Sequence, residues 1–336
     1  MSRSRPKRTI GITFNLKNKK RSSDRDEEYD EIETIEALRR QVERNGFKVV
    51  LLEQSGDFLK KISLNRPDFV LNLAEGKGAG RGRESQVPCV LESLGIPYSG
   101  SDPVALGITL DKYLTSVILK SAGVPVPDMV MASDAAHIAG LKGIFKKHPV
   151  WIVKPRWEGS SKGIFSSSVV SNFNELKARV RIVLAEYKQP ALVEEFLEKE
   201  EITAAVCGNG RSARLLGMMK IVSKDKSQKR FLYSLENKRD WESKIAYEPQ
   251  ENIRANVRRK IEGLALKAFA ALELRDISRI DFRLDSRGLP RIIDINPLPG
   301  LSPRYSDLPI LFKLRGGSYP ELIKIILNEA MMRCGF

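Results

Sequence analysis

Residues 278–301 of the 336-residue chain read SRIDFRLDSRGLPRIIDINPLPGL. Two runs rich in Ile, Leu and Phe, Ser278–Leu284 and Leu289–Ile295, flank the turn sequence DSRG at Asp285–Gly288. Such runs on both sides of a polar, glycine-containing turn are typical of a β-hairpin. Successive side chains of a strand point to opposite faces, so the sequence also predicts which polar residues of the hairpin lie together.

Acidic residues are predicted to face one another across this hairpin. A hairpin centred between Arg287 and Gly288 places Asp281 opposite Asp294, with Cβ atoms about 5 Å apart, and Asn296 lies on the face of Asp294. Two carboxylates and a carboxamide are hard oxygen ligands that suit Mg²⁺ bound together with nucleotide phosphates. The alternative is a solvated polar face of a half-exposed hairpin, and spacing by itself leaves both interpretations open.

A glycine- and serine-rich loop is the candidate phosphate site. The predicted strand 150–154 ends at Lys154, and the sequence EGSSKG follows at 158–163. Glycines let backbone amides approach a phosphate closely, and the serines and the lysine add donors and charge. The spacing of a P-loop is absent, and a flexible hairpin loop is the alternative. A second glycine cluster, EGKGAGRG at 75–82, is interpreted as a mobile loop at the sheet edge where α/β proteins bind ligands.

The first hundred residues indicate an α/β fold. Predicted strands Thr9–Phe14, Lys48–Leu52 and Phe69–Leu73 are separated by segments with helical spacing of apolar residues. This order suggests an open, largely parallel sheet of Rossmann-like type. Further along, a single helix is predicted from about Thr109 to Ala122, and the polar segment Ser223–Gln250 is predicted to be a long surface loop that serves as a lid.

The chain is strongly basic, with 57 Lys and Arg against 42 Asp and Glu and a formal net charge of +15. Eight basic residues and no acidic one fall within residues 3–21. Charge of this kind suits nucleic acid or an acidic partner, but a solvated tail and loop is the favoured interpretation. Because Phe14 is the only aromatic residue before Tyr29, single-stranded nucleic acid would find few rings to stack on.

The sequence also bears on location. No run approaches the length of a transmembrane helix, and the apolar run after the basic start is too short for a signal peptide. The cysteines Cys89, Cys207 and Cys334 are few and far apart, which suits free thiols in a reducing compartment. We therefore expect a cytoplasmic protein without membrane partners.

Four ordered stretches resemble the D-alanine–D-alanine ligases and their ATP-grasp relatives. They are Leu91–Lys112, Trp151–Ile164, Leu192–Val206 and Ser278–Leu301, and the similarity runs from about Phe69 onward. The resemblance implies an α/β ATP-grasp fold with an N-terminal Rossmann-like domain. It implies three domains: residues 1–102 with a basic tail at 1–8, a central lobe at 103–190, and a C-terminal lobe with the metal site at 191–336.

The resemblance also implies roles for individual residues. Residues expected to bind the nucleotide, through its phosphates, adenine or ribose, are Lys112, Lys154, Gly159, Ser160, Ser161, Glu194, Leu197, Glu201 and the lid residue Lys238. The implied ligands of Mg²⁺, or of Mn²⁺ in its place, are Asp281, Asp294 and Asn296, where the middle position is commonly Glu in the family.

Catalytic roles are expected for Arg279, Gly300 and Ser160. Arg279 would face the reacting carboxylate, and Gly300 would offer a backbone N–H beside it. The alternative for Arg279 is a purely structural role, in which an ion pair with Asp281 or Asp294 only orders the hairpin.

The implied reaction joins a small-molecule carboxylate to an amine through an acyl phosphate, with ADP as a product. The family resemblance further implies a homodimer. The basic surface would suit a substrate tethered to an acidic carrier protein.

The chain departs from the family where the amino acids would bind. Phe14–Lys19 replaces a His-Glu-Val-Ser stretch and offers no equivalent glutamate, and Glu75 stands where a His-Gly sequence is usual. A substrate-binding serine falls on Tyr305, with Ser306 next to it, and the lid reads Lys238-Arg239 in place of Lys-Tyr. We therefore expect a ligase whose amino-acid-like substrates are not necessarily D-alanine. The alternatives are a genuine D-alanine–D-alanine ligase, a non-catalytic nucleotide-binding protein, and a basic nucleic-acid-binding protein.

Overall fold

The computed structural model describes residues 7–17, 24–227 and 230–336. Strands and helices alternate in the first part of the chain: β1 Thr9–Phe14, α1 Ile32–Arg44, β2 Lys48–Glu53, α2 Phe58–Asn65, β3 Phe69–Asn72 and α3 Gln86–Ser93. The three strands pair in parallel in the order β2-β1-β3. The predicted parallel sheet is confirmed. The basic tail and much of the basic run at 3–21 fall in residues 1–6 and 18–23, which lie outside the described residues.

The second part of the chain forms an antiparallel sheet in the order β4-β7-β5-β6. Its elements are α4 Pro103–Leu110, α5 Lys112–Ser121, β4 Met129–Ala132, α6 Ala135–Gly140, β5 Trp151–Pro155, β6 Val169–Val170, α7 Phe173–Ile182 and β7 Ala191–Glu195. The prediction of one helix over 109–122 is wrong. Asp111 is extended and caps α5 by accepting the Leu114 N–H, so one helix ends and another begins there.

The third part holds a five-stranded antiparallel sheet in the order β10-β9-β8-β11-β12. Its elements are β8 Glu201–Gly208, β9 Arg214–Ser223, α8 Leu235–Arg239, α9 Trp241–Lys244, β10 Ile245–Pro249, α10 Ala255–Ala271, β11 Asp276–Leu284, β12 Pro290–Asn296, α11 Asp307–Leu314 and α12 Tyr319–Cys334. The segment Ser223–Gln250 is therefore not a plain loop, because it contains two short helices and the edge strand β10.

The predicted boundary between the last two domains needs one correction. Strand β7 pairs with β4 and β5, so Ala191–Glu195 belongs with the central sheet, although the boundary was expected before residue 191. Five strands that begin with β8 make up the C-terminal sheet. The division into three domains otherwise stays a prediction.

The β11–β12 hairpin has the expected pairing at its functional end. Asp281 is opposite Asp294, and Arg279 is opposite Asn296. Nearer the turn, Phe282 pairs with Ile292, so the register shifts by one residue between the two halves. Ile293 is therefore the extra residue of a β-bulge. The register predicted from the turn is wrong by one residue in the inner half of the hairpin, next to the turn. Beyond the bulge it is correct, and Asp281 pairs with Asp294.

A buried carboxylate joins the first and last parts of the chain. Asp276, at the start of β11, is fully buried and accepts the Gly100 N–H at 2.8 Å. It also accepts two hydrogen bonds from Arg333 near the end of α12, at 2.9 and 2.8 Å.

Cys89, Cys207 and Cys334 are free thiols. Among the described residues, none of the helices is both long enough and apolar enough to cross a membrane.

We expect Asp276→Asn to lower the free energy of unfolding by about 3 kcal/mol, because Arg333 would lose its partner in a buried pair. Asparagine keeps the size of the side chain and tolerates the positive φ of this position. Urea denaturation followed by circular dichroism measures the change. Arg214→Gln, which breaks the exposed pair with Glu329, serves as the control and should cost less than about 1 kcal/mol. Equal losses in the two variants would contradict the assignment.

Candidate active site

The residues expected to bind nucleotide and metal line one cavity between the central and C-terminal sheets. Eleven of them share it with the predicted catalytic residue Arg279: Lys112, Lys154, Ser160, Ser161, Glu194, Leu197, Glu201, Lys238, Asp281, Asp294 and Asn296. Gly159 and Gly300 line an adjacent cavity that shares Lys112, Ser160 and Arg279 with the first. The structure therefore brings together every residue that the sequence singled out, while the roles of these residues stay predictions.

Two ion pairs lie in the wall of the cavity, one within the central sheet and one between helix α5 and the C-terminal sheet. Lys154 at the end of β5 donates to Glu194 on β7 at 2.8 Å, and both side chains are about 5% exposed. Lys112, the first residue of α5, donates to Asp294 on β12 at 3.0 Å. Burial raises the pKa of Glu194 even though Lys154 opposes the rise. Burial opposes protonation of Lys112, but Asp294 raises its pKa overall, so the lysine remains a cation in the site.

Asp281 is held in its charged form by three neighbours. Burial by itself would raise its pKa, but Arg279, Thr203 and Lys238 together lower it. Arg279 donates to both carboxylate oxygens of Asp281 at 3.0 and 2.9 Å, and Thr203 on β8 donates from its hydroxyl at 2.5 Å. The amide of Asn296 lies 3.1 Å from the same carboxylate. Two carboxylates and an amide oxygen are thus placed together on one face, and this donor set suits a hard divalent cation.

Arg279 contacts a second carboxylate from outside the hairpin. Its Nη1 lies 3.3 Å from Asp307 Oδ2, at the start of α11. Asp307 is itself buried and accepts the Tyr233 hydroxyl at 3.0 Å. The ion pair that would give Arg279 a purely structural role exists with Asp281, but not with Asp294. Arg279 also lines the cavities on both sides of the hairpin end, which a purely structural arginine would not require.

Glu201 is paired with an arginine that the sequence did not single out. Arg283 Nη1 lies 3.2 Å from Glu201 Oε2, and its guanidinium stacks on the Phe196 ring at 4.8 Å from the centroid. Burial raises the pKa of Glu201, and Arg283 opposes the rise. Within the described part of the chain, Arg283 Nε is buried and has no hydrogen-bond partner. A buried, unsatisfied donor on a cavity wall is expected where a ligand supplies the acceptor.

Lys238 differs from the other cations of the site. Its ammonium lies 4.6 Å from the centroid of the Tyr233 ring, and it makes no ion pair with any described residue. Burial lowers its pKa. Its neighbour Arg239 turns away and pairs with Glu27. A lysine without a carboxylate partner on the wall of a cavity is well placed to meet an anionic group of a ligand.

The loop at 158–163 already binds an anion of the chain itself. The Gly159 N–H donates to Glu28 Oε1 at 2.5 Å, and Lys162 Nζ lies 3.2 Å from the same carboxylate. Ser160 and Ser161 both have positive φ, at 48° and 59°, which is uncommon for residues other than glycine and is found at ligand-binding loops. The loop is therefore an anion-binding turn rather than a flexible connection.

Glu28 also corrects an expectation about the amino-acid side of the site. The stretch directly after β1 shows no candidate glutamate, yet Glu28 from further along reaches the cavity. It accepts from Arg83 at 2.6 Å and lines the cavity beside Gly300. The sequence offers one signal for this residue, the acidic run that starts at Asp24.

Gly300 is required by a close approach. A Cβ atom at this position would lie 2.7 Å from Ser306 Oγ, and Ser306 accepts the Ser302 N–H at 3.0 Å. Tyr305 and Ser306 both line the outer cavity together with Gly300. The one-residue offset seen in the sequence thus still places a serine hydroxyl at the expected loop.

Two cavities meet at Arg279 and Gly300. The inner one has a volume of about 90 Å³ and includes Glu28, Glu75 and Glu84 in its wall. The outer one is about 440 Å³ and runs past the lid helices α8 and α9. A reacting carbon near Arg279 would therefore be accessible from both sides.

The sequence missed several residues of the site. Arg283 could have been found, since it shares the predicted face of Arg279 and Asp281. Thr203, Tyr233 and Asp307 come from other elements, and no local pattern connects them to the hairpin.

Buried carboxyls make stability dependent on pH. Burial raises the pKa of Asp30 to about 7 and that of Glu84 to about 8. In the window from about pH 4 to about pH 8 the folded chain binds more protons at these groups than the unfolded chain, so stability falls as the pH rises. We expect a lower melting temperature at pH 9 than at pH 6, and a smaller difference in Glu84→Gln. The control Glu262→Gln, at an exposed residue, should show the same difference in melting temperature as the wild type. The same result for Glu84→Gln would contradict the assignment.

Comparisons with known proteins identify the family of the chain. Residues 118–328 match the family model described as D-ala D-ala ligase C-terminus. The chain is 32% identical over 305 residues to the D-alanine–D-alanine ligase of Desulforudis audaxviator, covering 87% of this chain and 90% of that protein. It is 32% identical over 252 residues to the D-alanine–D-alanine ligase of Albidiferax ferrireducens, covering 75% and 69%.

Solved structures show the same fold at lower identity. D-alanyl-alanine synthetase A of Vibrio cholerae superposes with a TM-score of 0.77 at 20% identity, over 97% of this chain and 99% of that one. The D-alanine–D-alanine ligase of Bacillus anthracis, solved in complex with ATP, gives 0.74 at 22% identity, over 97% and 98%. The expected ATP-grasp fold is confirmed, and the chain belongs to the D-alanine–D-alanine ligase family of ATP-dependent enzymes that form a carbon–nitrogen bond.

Proposed function

We propose that this chain joins a carboxylate substrate to an amine at the expense of ATP, through an acyl phosphate, on amino-acid-like substrates that need not be D-alanine. One observation carries the proposal. The cations Lys112, Lys154, Lys238 and Arg279 converge with the acidic pair Asp281 and Asp294 on one cavity. Phosphoryl transfer needs this combination, because its catalysis is mainly positioning and charge neutralisation.

The reaction proceeds in two steps at the junction of the two cavities. A carboxylate oxygen of the first substrate attacks the γ-phosphorus of ATP, and ADP leaves as the acyl phosphate forms. The amine of the second substrate then attacks the acyl carbon. The resulting tetrahedral intermediate releases phosphate, and the amine nitrogen loses a proton. Arg279 and the Gly300 N–H would stabilise the oxyanion of that intermediate.

The metal centre would be held by Asp281, Asp294 and Asn296. Their oxygens suit Mg²⁺, with Mn²⁺ as an alternative, and the ion would neutralise charge on the phosphates. Lys112 and Arg279, which now pair with these carboxylates, would then be free to meet the phosphates and the substrate carboxylate.

A narrower candidate is the joining of two D-alanines, as the names of the two curated relatives state for those proteins. The Lys-Arg lid sequence and the acidic inner cavity favour a different pair of substrates. We also propose a homodimer in the cytoplasm, in line with the family resemblance and the free thiols.

The experiment that tests the function measures ADP and phosphate release with ATP and Mg²⁺. Substrates are D- and L-amino acids, dipeptides and carrier-bound acyl groups, supplied singly and in pairs. Release that depends on both a carboxylate and an amine, with the ligated product detected by mass spectrometry, is the expected result. ATP binding with no release for any pair would contradict the proposal.

Lys154→Met is expected to weaken ATP binding by at least about 10-fold, because a buried charge that contacts the phosphates is lost. Isothermal titration calorimetry with ATP measures the effect. The double variant Lys154→Met/Glu194→Gln leaves no buried charge unpaired and should fold, yet still bind poorly. Lys146→Ala, at an exposed lysine of the central lobe, is the control. Wild-type affinity in the double variant would refute the assignment.

Asp294→Asn is expected to weaken metal binding while the fold survives, since it removes one of two hard anionic ligands. Electron paramagnetic resonance of Mn²⁺ in the presence of ADP reports binding directly, with Glu262→Gln as the control. We expect at least about a 10-fold rise in the dissociation constant and partial recovery of turnover at high Mg²⁺. Unchanged Mn²⁺ affinity would remove Asp294 from the metal site.

A further inference from the structure

The inner cavity has two acidic side chains without a cation. Glu84, beside α3, is 7% exposed and lines the cavity. Glu75, directly after the first parallel sheet, lines the same cavity. Neither carboxyl has a hydrogen bond or an ion pair with any residue in the ranges 7–17, 24–227 and 230–336. A buried carboxyl without a partner is costly unless a ligand supplies one.

The nearby bases cannot serve these two groups, because other carboxylates already occupy them. Arg83 and Lys162 each contact Glu28, at 2.6 and 3.2 Å. The same two bases contact Glu158, at 3.4 and 2.6 Å. Two bases therefore match two acids in this network. Glu75 and Glu84 are left without a basic partner among the described residues.

Two of the cations on the opposite wall are matched as well, and the third, Lys238, lies over the Tyr233 ring on the lid side. Lys112 pairs with Asp294, and Arg279 pairs with Asp281 and Asp307. Consistent with this, burial raises the pKa of Glu84 to about 8, and burial together with the nearby Glu84 raises that of Glu75 well above its usual range. A ligand in this cavity would have to bring two positive charges to leave both carboxylates ionised and neutralised.

We propose that Glu75 and Glu84 select an acyl donor with two amino groups, a short diamino acid whose carboxylate faces Arg279. The inference rests on the proposed function, since it assigns the inner cavity to the substrate that receives the phosphate. The cavity of about 90 Å³ continues into one of about 40 Å³ that shares Glu75 and the loop 297–300. A short unbranched side chain fits this shape. Glu28 contributes less, because Arg83, Lys162 and the Gly159 N–H already saturate it.

The test compares two amino acids of the same shape. 2,4-Diaminobutyrate and norvaline differ only in an ammonium group that replaces a methyl group, and both enantiomers of each are used. Calorimetry measures their binding to the full chain with ADP and Mg²⁺ present. We expect the diamino acid to bind at least about 10-fold more tightly, as for a hydrogen bond to a charged partner. Glu84→Gln should lose that preference, and the exposed control Glu262→Gln should keep it.

Several results would overturn the inference. They are equal or tighter binding of norvaline, no binding of either compound, and a preference that persists in both Glu84→Gln and Glu75→Gln. Glu75→Gln serves as the test variant if circular dichroism shows that Glu84→Gln does not fold. The proposed function is tested separately by ADP release. Release with norvaline as efficient as with the diamino acid would refute only the inference, whereas preferential binding with no release for any amine would refute the function.

Discussion

Two carboxylates face each other across the β11–β12 hairpin, and the organisation of the site follows from the need to neutralise them. Asp281 is met by Arg279 from its own strand and by Thr203 from the neighbouring strand, and Asp294 is met by Lys112 from a helix of the central part. Like charges at directly opposed strand positions are destabilising, so the hairpin needs cations from its surroundings. One of these cations, Lys112, belongs to α5. Its ion pair therefore holds the central part of the chain against the C-terminal sheet, with the cavity between them.

The same balance of charge extends through the whole site. Lys154 is matched by Glu194, and Arg283 by Glu201, so nearly every charged group on the nucleotide side has a protein partner before any ligand arrives. The exceptions are informative. Among the described residues, Lys238 lies unpaired over an aromatic ring, and Glu75 and Glu84 are unpaired on the inner wall. The first is a cation on the lid side and the others are acids on the proposed substrate side, an arrangement that would separate the binding of an anionic nucleotide from that of a cationic donor.

Local rules predicted the parts of the site that local sequence determines. Strand alternation and turn length placed Asp281 opposite Asp294, and glycine and serine content marked the loop at 158–163. The inner half of the hairpin was out of register, because a bulge at Ile293 leaves no signature in the pattern of apolar residues. The break at Asp111 was missed although an aspartate that caps a helix is a local signal, and its contact with Arg156 adds a tertiary constraint that no local pattern shows. Asp307 and Glu84 reach the site from helix ends whose packing no short window of sequence can encode.

Asp111 and Lys112 are consecutive residues that bind to different lobes. Asp111 receives two hydrogen bonds from Arg156 at the end of the central sheet, each 2.7 Å long, while Lys112 reaches across to Asp294. Two consecutive residues therefore connect the central part of the chain to the C-terminal sheet. The two parts of the chain can separate at this end of the cavity only if one of these two ion pairs breaks, and a metal ion at Asp294 would release the pair made by Lys112.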